Sequence, residues 1–238
     1  MNAMLASVRD VNEARLALAG GCEWLDIKEP DAGALGRASA TVVCAIVSLT
    51  ANRVPVSATI GDCWDSPALI APAVIAMAAT GVDYVKVGIR ARDVDSATLA
   101  ALRAASAEGR RVIAVCMAEA PPATRDLAAL AAVGVCGVML DTIDKAGPRL
   151  TSLLHADALR AFVAEAHRLN LLAGLAGRLQ VADIARLHDC GADYLGFRSA
   201  LCAAGERRAG LDAQAFAEVR AALSVAMVPI SINTNEVT

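Results

Sequence analysis

Residues 80–88 read TGVDYVKVG, a glycine that can end a helix followed by a short apolar strand. A similar order returns at residues 190–197, CGADYLGF, and shorter versions stand at residues 19–21, AGG, and 133–134, VG. Glycine in this place can adopt the left-handed conformation that stops a helix and turns the chain into the next strand. Four such joints predict a repeated βα unit.

Short apolar runs alternate with longer amphipathic segments along the whole chain. The predicted strands are Leu5–Val8, Trp24–Lys28, Pro55–Gly61, Tyr84–Gly88, Arg111–Met117, Gly137–Thr142, Leu171–Gly177 and Tyr194–Ser199. The predicted helical segments include Val11–Ala19, Pro67–Thr80, Ser96–Ala107, Thr124–Val133, Asp157–Leu169, Val181–Asp189 and Asp212–Ser224. Eight units in 238 residues average about thirty residues each, the size of a βα unit with short loops.

We therefore predict a single α/β domain, a (β/α)8 TIM barrel over residues 1–224. A doubly wound open sheet is the alternative. Residues 225–238, beyond the last predicted helix, are expected to form a C-terminal extension or a disordered end. Aromatic residues make up only 3% of a chain that is 56% hydrophobic, so aliphatic side chains must fill the core, as parallel strands and their covering helices require.

Composition disfavours several classes of function. A net charge of −3 and the lack of a basic cluster interleaved with aromatic residues disfavour nucleic acid and anionic membranes as partners. No stretch approaches eighteen uninterrupted apolar residues. The seven cysteines are scattered and never form a C-x-x-C pair, which argues against a disulfide framework or a zinc ribbon. We expect small buried thiols in a reducing cytoplasm.

Two further kinds of functional site lack their usual residues. The histidines, at positions 155, 167 and 188, lie away from the predicted strand ends, so a metal site or a histidine base has little support. The chain has no Walker A sequence and no G-x-G-x-x-G motif after a strand.

Lysine is scarce: three lysines stand against nineteen arginines. Lys28 and Lys86 fall at or near the C-terminal ends of predicted strands, and Lys145 follows the sixth strand by a few residues. In a barrel that end carries the active site. Arginine stays protonated, whereas a lysine amine can lose its proton beside another cation or in a dry pocket and then form an imine with a carbonyl compound.

Two carboxylates accompany these lysines. Asp26 lies two residues before Lys28, so the period of a strand points both side chains to one face, with the carboxylate one layer deeper. Asp141 ends the sixth strand, and Lys145 follows it by four residues. A structural ion pair or a surface lysine would explain any one of these residues, but burying the whole set without function is costly.

Phosphate is expected in the loops after the seventh and eighth strands. The candidate residues are Gly174, Gly177, Gly196, Arg198 and Ser199. Glycines let backbone amides approach phosphate oxygens, a following helix N-terminus adds positive potential, and arginine can bind a phosphate with two parallel hydrogen bonds. Glycine at a strand end is also ordinary turn chemistry, so this signal depends on the barrel.

Several motifs resemble one known family, the (5-formylfuran-3-yl)methyl phosphate synthases, also called 4-(hydroxymethyl)-2-furaldehyde-phosphate synthases, of methanofuran biosynthesis. They are DIKEP at 26–30 followed by GALG at 33–36, VSATIGD at 56–62, DYVKVG at 83–88, MLDT at 139–142 with Lys145, LAGLAG at 172–177 and GADYLGFR at 191–198. The resemblance runs in order from the first strand to about residue 205 and does not include the C-terminal tail.

The resemblance implies a cofactor-free condensation of two glyceraldehyde 3-phosphate molecules to a furan aldehyde phosphate. Lys28 matches the Schiff-base lysine and Lys86 the proton acceptor, while Asp26, Asp141 and Lys145 match supporting charged residues. The residues alone leave rivals open: a class I aldolase acting on another sugar phosphate, a non-catalytic phosphate-binding barrel, and a triose or phosphoribosyl isomerase. A homo-oligomer is expected, as for many such barrels.

Overall fold

Eight parallel strands close into a barrel in a computed structural model, which describes residues 2–226. The strands are β1 (Ala3–Val8), β2 (Trp24–Ile27), β3 (Val56–Thr59), β4 (Tyr84–Ile89), β5 (Val112–Met117), β6 (Gly137–Asp141), β7 (Leu172–Leu175) and β8 (Tyr194–Phe197). Each predicted strand is present at its predicted place, and most are shorter by one to three residues. Pairing of β1 with β8, from Ala3 opposite Tyr194 to Ala6 opposite Phe197, closes the sheet. The TIM barrel is confirmed and the open sheet is wrong.

The helices cover the outside of the barrel. They are α1 (Val11–Ala19), α2 (Ala40–Thr50), α3 (Ile70–Ala78), α4 (Ser96–Ala105), α5 (Thr124–Ala132), α6 (Leu150–Leu153), α7 (Ala156–Arg168), α8 (Ile184–His188) and α9 (Ala213–Ala226). Helix α2 was not among the predicted segments, because ATVVCAIVSLT carries no charged residue that would mark a solvent face. Helix α9 runs two residues past the predicted domain boundary, and the predicted extension from residue 227 onward lies outside the described residues.

Strand side chains alternate between two apolar clusters. Residues such as Leu25, Ile27 and Val85 face outward and pack against the helices. Leu5, Ile113 and Val115 face inward and belong to a smaller cluster in the barrel interior. This alternation follows from the two-residue period of a strand, and it sends Asp26 and Lys86 inward as well.

The joints that decide the fold have a common structure at the N-terminal end of the barrel. All four helix-stopping glycines have the positive φ that the sequence predicted: Gly21, Gly81, Gly134 and Gly191. In two of these joints the acidic residue two positions after the glycine accepts a hydrogen bond from the start of the preceding strand: Asp83 Oδ2 from Val56 N at 2.8 Å, and Asp193 Oδ2 from Ala173 N at 2.7 Å. The next residue of each such joint is the tyrosine that begins β4 or β8.

Aromatic rings close the barrel at this end. Trp24, the first residue of β2, packs against Tyr84 and Tyr194 with ring centroids 4.7 and 4.8 Å apart. Because these rings fill the N-terminal end of the barrel, the opposite, C-terminal end is the open one. No helix within residues 2–226 is both long and apolar enough to cross a membrane.

Candidate active site

The centre of the site is the carboxylate of Asp26, which accepts contacts from four side chains. Its Oδ1 lies 2.7 Å from Ser57 Oγ and 2.9 Å from Lys86 Nζ. Its Oδ2 lies 3.2 Å from Ser7 Oγ and 3.7 Å from Lys28 Nζ. Strand register produces this arrangement, because Ser7 and Ser57 are the residues paired with Asp26 on β1 and β3.

Burial and charge act in opposite directions on the Asp26 carboxyl. Burial raises its pKa, but the charges of Lys86 and Lys28 and the hydrogen bond from Ser57 outweigh burial and lower the pKa to about 2. Asp26 is therefore ionised at neutral pH. It supplies the counter-charge that lets two lysines lie in the barrel interior.

The two lysines beside Asp26 differ in access to the open end of the barrel. Lys28 lines the cavity there and is 8% exposed, whereas Lys86 lies beneath the cavity and is 1% exposed. Both lysines lie toward the end of the barrel that the sequence predicted, but Lys86 sits one layer deeper than Lys28, level with Asp26. Burial lowers the pKa of Lys86 although Asp26 opposes this, and the charge of Lys28 lowers it further.

A second ion pair lies at the end of β6. Lys145 Nζ is 2.6 Å from Asp141 Oδ1, which also accepts a hydrogen bond from Thr142 N at 2.8 Å. Burial lowers the pKa of Lys145, opposed by Asp141 and assisted by Lys28. The charges of Lys145 and Lys28 lower the pKa of Asp141 against the effect of its burial. The charge of Lys28 thus acts on both carboxyl groups, Asp26 and Asp141.

Above these groups lies a cavity at the C-terminal end of β1, β2, β6, β7 and β8. It contains about 390 Å³ of space unfilled by protein atoms, the open mouth included. Its charged lining residues are five cations and one carboxylate: Lys28, Lys145, Arg178, Arg198, Arg207 and Asp141. An amine on the wall of a cation-rich cavity is suited to a carbonyl compound that carries anionic groups.

The five residues predicted to bind phosphate do not form one site. Gly177, Gly196, Arg198 and Ser199 line the cavity. Gly174 does not line the cavity. It lies against the Tyr194 ring, where a Cβ would be 2.3 Å from the nearest ring atom, so glycine is needed there for packing inside the barrel. The helix N-terminus expected after β8 is also absent, since residues 199–201 form only a 3-10 turn.

One side of the barrel mouth is covered by apolar groups. Leu35, from the loop after β2, and Trp64, from the loop after β3, both contact Gly88 on β4, where a Cβ would lie 2.7 and 2.4 Å from them. Leu35 is only 3% exposed and packs with the inner cluster. The polar cavity is therefore confined to the side of β6, β7, β8, β1 and β2.

Three polar residues of the cavity wall were not among the predicted site residues: Ser7, Arg178 and Arg207. Arg178 directly follows Gly177 in a loop already expected to bind phosphate, so its position was a usable signal. Arg207 stands in irregular chain nine residues after Arg198, where no periodicity indicates a direction. No group of three or more His, Cys, Asp or Glu residues within residues 2–226 could hold a metal ion.

Comparison with known proteins identifies the family of the chain. The family model described as 4-HFC-P synthase matches residues 4–220. The chain belongs to the 4-HFC-P synthase family. Its relatives include the (5-formylfuran-3-yl)methyl phosphate synthase of Methanopyrus kandleri, 36% identical over 87% of this chain and 92% of the relative. The synthase of Methanocaldococcus jannaschii is 34% identical over 87% of this chain and 93% of the relative.

A protein of Methylorubrum extorquens is 44% identical over 92% of each chain. Because the family consists of proteins named as synthases, the chain is an enzyme.

Solved structures share its fold at low identity. Phosphoribosyl anthranilate isomerase from Thermus thermophilus has a TM-score of 0.66 at 15% identity, covering 94% of this chain and 99% of that one. A 3-hexulose-6-phosphate synthase has a TM-score of 0.59 at 20% identity, covering 92% of this chain and 99% of that one. These likenesses concern the barrel alone.

Proposed function

We propose that this 4-HFC-P synthase family member condenses two molecules of glyceraldehyde 3-phosphate to (5-formylfuran-3-yl)methyl phosphate through a Schiff base on Lys28. Two triose phosphates contain the atoms of the furan product, one phosphate and two water molecules, so no oxidant or reductant is needed. We assign the product to the biosynthesis of a methanofuran-type cofactor, in the cytoplasm.

The observation that carries the proposal is the placement of Lys28. Lys28 is the lysine beside Asp26 that reaches the cavity, so a substrate carbonyl can approach its amine. The nearby cationic arginines suit a phosphorylated substrate. Lys86 lies behind the same carboxylate, with a lowered pKa that favours the neutral, proton-accepting form.

The proposed reaction begins when neutral Lys28 attacks the carbonyl carbon of one triose. Loss of water leaves an iminium ion, which acidifies the neighbouring carbon. Lys86 accepts the proton from that carbon, and the resulting enamine adds to the aldehyde of the second triose. The Lys145–Asp141 pair donates a proton to the new alkoxide. Elimination of phosphate and two water molecules, with ring closure, and hydrolysis of the imine release the furan aldehyde.

The decisive experiment incubates the purified enzyme with glyceraldehyde 3-phosphate as the sole substrate. A product that absorbs in the near ultraviolet and has the mass of the furan aldehyde phosphate supports the proposal. A sugar phosphate without that absorbance would instead support a class I aldolase.

Borohydride trapping tests the nucleophile separately. Reduction during turnover should leave a mass adduct on the peptide that contains Lys28, and the charge-preserving variant Lys28→Arg should show neither adduct nor product. Furan formation without any adduct, or with an adduct on another lysine, would disprove the role of Lys28 while leaving the reaction itself intact.

The assembly state is a separate proposal. We expect a homo-oligomer in solution, to be checked by light scattering coupled to size-exclusion chromatography. A mass equal to one chain at assay concentrations would contradict it.

A further inference from the structure

Arg198, the arginine expected to bind phosphate, is fully engaged by the protein. A guanidinium has five N–H donors, and all five find acceptors here. Both carboxylate oxygens of Glu13 accept from it, in an ion pair whose two side chains are each 6% exposed. The remaining bonds reach the carbonyls of Ser7 at 3.2 Å, Arg207 at 2.9 Å and Ala209 at 3.0 Å. A phosphate could bind Arg198 only by displacing one of them.

Arg207 is held in place by this network but its own guanidinium is nearly free. Its backbone carbonyl accepts from Arg198 Nε, so the direction of the segment depends on the Glu13–Arg198 pair. Within the described part of the chain its guanidinium makes one hydrogen bond, from Nη2 to Gly33 O at 3.3 Å. Arg207 is one of the residues that line the cavity.

Arg178 approaches the cavity from the loop after β7. Among residues 2–226 no carboxylate forms an ion pair with it, and its guanidinium makes no hydrogen bond to them. Its backbone is left-handed, with φ of 55°, directly after Gly177 with φ of 114°. A left-handed conformation at a residue other than glycine costs roughly 1–2 kcal/mol, so the surrounding loop holds Arg178 there against a local preference.

Arg178 and Arg207 give the cavity an excess of positive charge, because the other charged groups there are largely paired. Arg198 is neutralised by Glu13 and Lys145 by Asp141, while Lys28 shares Asp26 with Lys86. In contrast to these pairs, Arg178 and Arg207 have no carboxylate partner within 4.0 Å in residues 2–226. Two unpaired guanidinium groups on one small cavity form a site for a doubly charged anion with several acceptor oxygens.

We propose that Arg178 and Arg207 bind the phosphate group of a triose phosphate substrate, and that Arg198 is a positioning residue that acts through Arg207. The substrate named in this proposal rests on the proposed function. The anion site does not, because it follows from the charges and hydrogen bonds of the cavity alone.

The test uses Arg178→Gln and Arg207→Gln, with Arg208→Gln as the matched control. Arg208 is adjacent in sequence, its side chain is 71% exposed, and it pairs with Asp31 instead of lining the cavity. Two readouts are measured: KM and kcat for furan formation, and the binding of inorganic phosphate to the free enzyme by calorimetry. The phosphate measurement remains interpretable if the enzyme makes some other product.

We expect each cavity variant to raise KM and the Kd for inorganic phosphate by about 10- to 100-fold, the range for loss of a charge-assisted hydrogen bond. kcat should change much less, and Arg208→Gln should behave as the wild type. Wild-type phosphate binding in both cavity variants would overturn the proposal, as would a loss confined to kcat. Failure to form the furan with phosphate binding still lost in the variants would disprove only the proposed reaction.

A double-mutant cycle separates positioning from direct contact at Arg198. The variant Arg198→Lys keeps the charge but not the five donors, so it should release the residue 207 segment and raise KM. If Arg198 acts through Arg207, the double variant with Arg207→Gln should be no worse in KM than Arg207→Gln alone. Additive losses would show that Arg198 binds the phosphate itself. Thermal unfolding of each variant identifies any that are not folded, and Glu13→Gln then replaces Arg198→Lys in the same cycle.

Discussion

At the scale of single residues, Lys28 and Lys86 share one carboxylate yet face different surroundings. Lys28 reaches the cavity and Lys86 does not. In Lys86→Arg the charge beside Asp26 remains, but arginine cannot accept a proton at neutral pH. We expect kcat to fall by about 10²- to 10⁴-fold, the range for loss of a general base. Borohydride trapping of Lys28 with substrate should persist, and its loss would contradict the separation of roles.

Asp26 controls the pH dependence of the proposed base. Its charge raises the pKa of Lys86 against the lowering effect of burial. In Asp26→Asn that opposition disappears, so the pKa of Lys86 falls further. Since the neutral amine is the active form, the acidic limb of the pH–rate profile should move to lower pH. The measurement is kcat against pH for wild type and variant.

Ser57→Ala is the matched control for Asp26→Asn. It removes the 2.7 Å hydrogen bond to Asp26 but leaves the carboxylate, so its acidic limb should stay close to that of the wild type. A limb of Asp26→Asn that moves to higher pH would refute the proposed role of Lys86. The stability of Asp26→Asn should be measured in parallel, because removing the ionic partner of a buried lysine costs on the order of 3–5 kcal/mol.

At the scale of elements, the loop after β2 is fixed by its own backbone. Glu29 N and Thr59 Oγ1 both donate to Gly36 O, at 2.9 and 2.8 Å. A Cβ on Gly36 would lie 2.1 Å from Glu29 O, which is backbone and cannot rotate away. Gly36→Ala should therefore displace the loop that carries Leu35 into the barrel mouth. We expect a loss of about 1–3 kcal/mol of stability together with reduced kcat/KM.

The control for Gly36→Ala is Gly210→Ala, where a Cβ meets no atom within 4 Å. Thermal denaturation and steady-state kinetics of the two variants should differ clearly. Equal behaviour of the two would mean that the conformation of the loop after β2 does not depend on its close backbone approach.

At the scale of the whole molecule, the cysteines are distributed between core and surface. All seven are free, as the sequence predicted, but Cys44 on α2 is exposed, which corrects the expectation of uniformly buried thiols. Burial raises the pKa of Cys22 and of Cys116 to about 12. Because the thiolate is the reactive form, a thiol reagent should label Cys44 first, as peptide mass spectrometry can show. Cys44→Ser should lose the rapid phase, and early labelling of Cys22 or Cys116 would contradict the described core.

The same scale separates local from distant information. The helix-stopping glycines, the period of two along the strands and the lysines at strand ends are all local patterns, and they predicted the eight strands and the cluster around Asp26. Helix α2 escaped because its sequence has no charged face. Closure of the barrel needed the pairing of β1 with β8, which involves the two ends of the sheet.

The sequence by itself determined that scarce lysines and two aspartates would meet at the open end of a barrel. Strand geometry dictates that result once the strands are located. Only the tertiary structure decided which arginine remains available for an anion. Arg198 forms an ion pair with Glu13, a residue 185 positions away in the chain. Arg207 is held in position by the hydrogen bond from Arg198 to its backbone carbonyl. Such contacts depend on how the closed barrel brings distant loops together, and no local pattern encodes them.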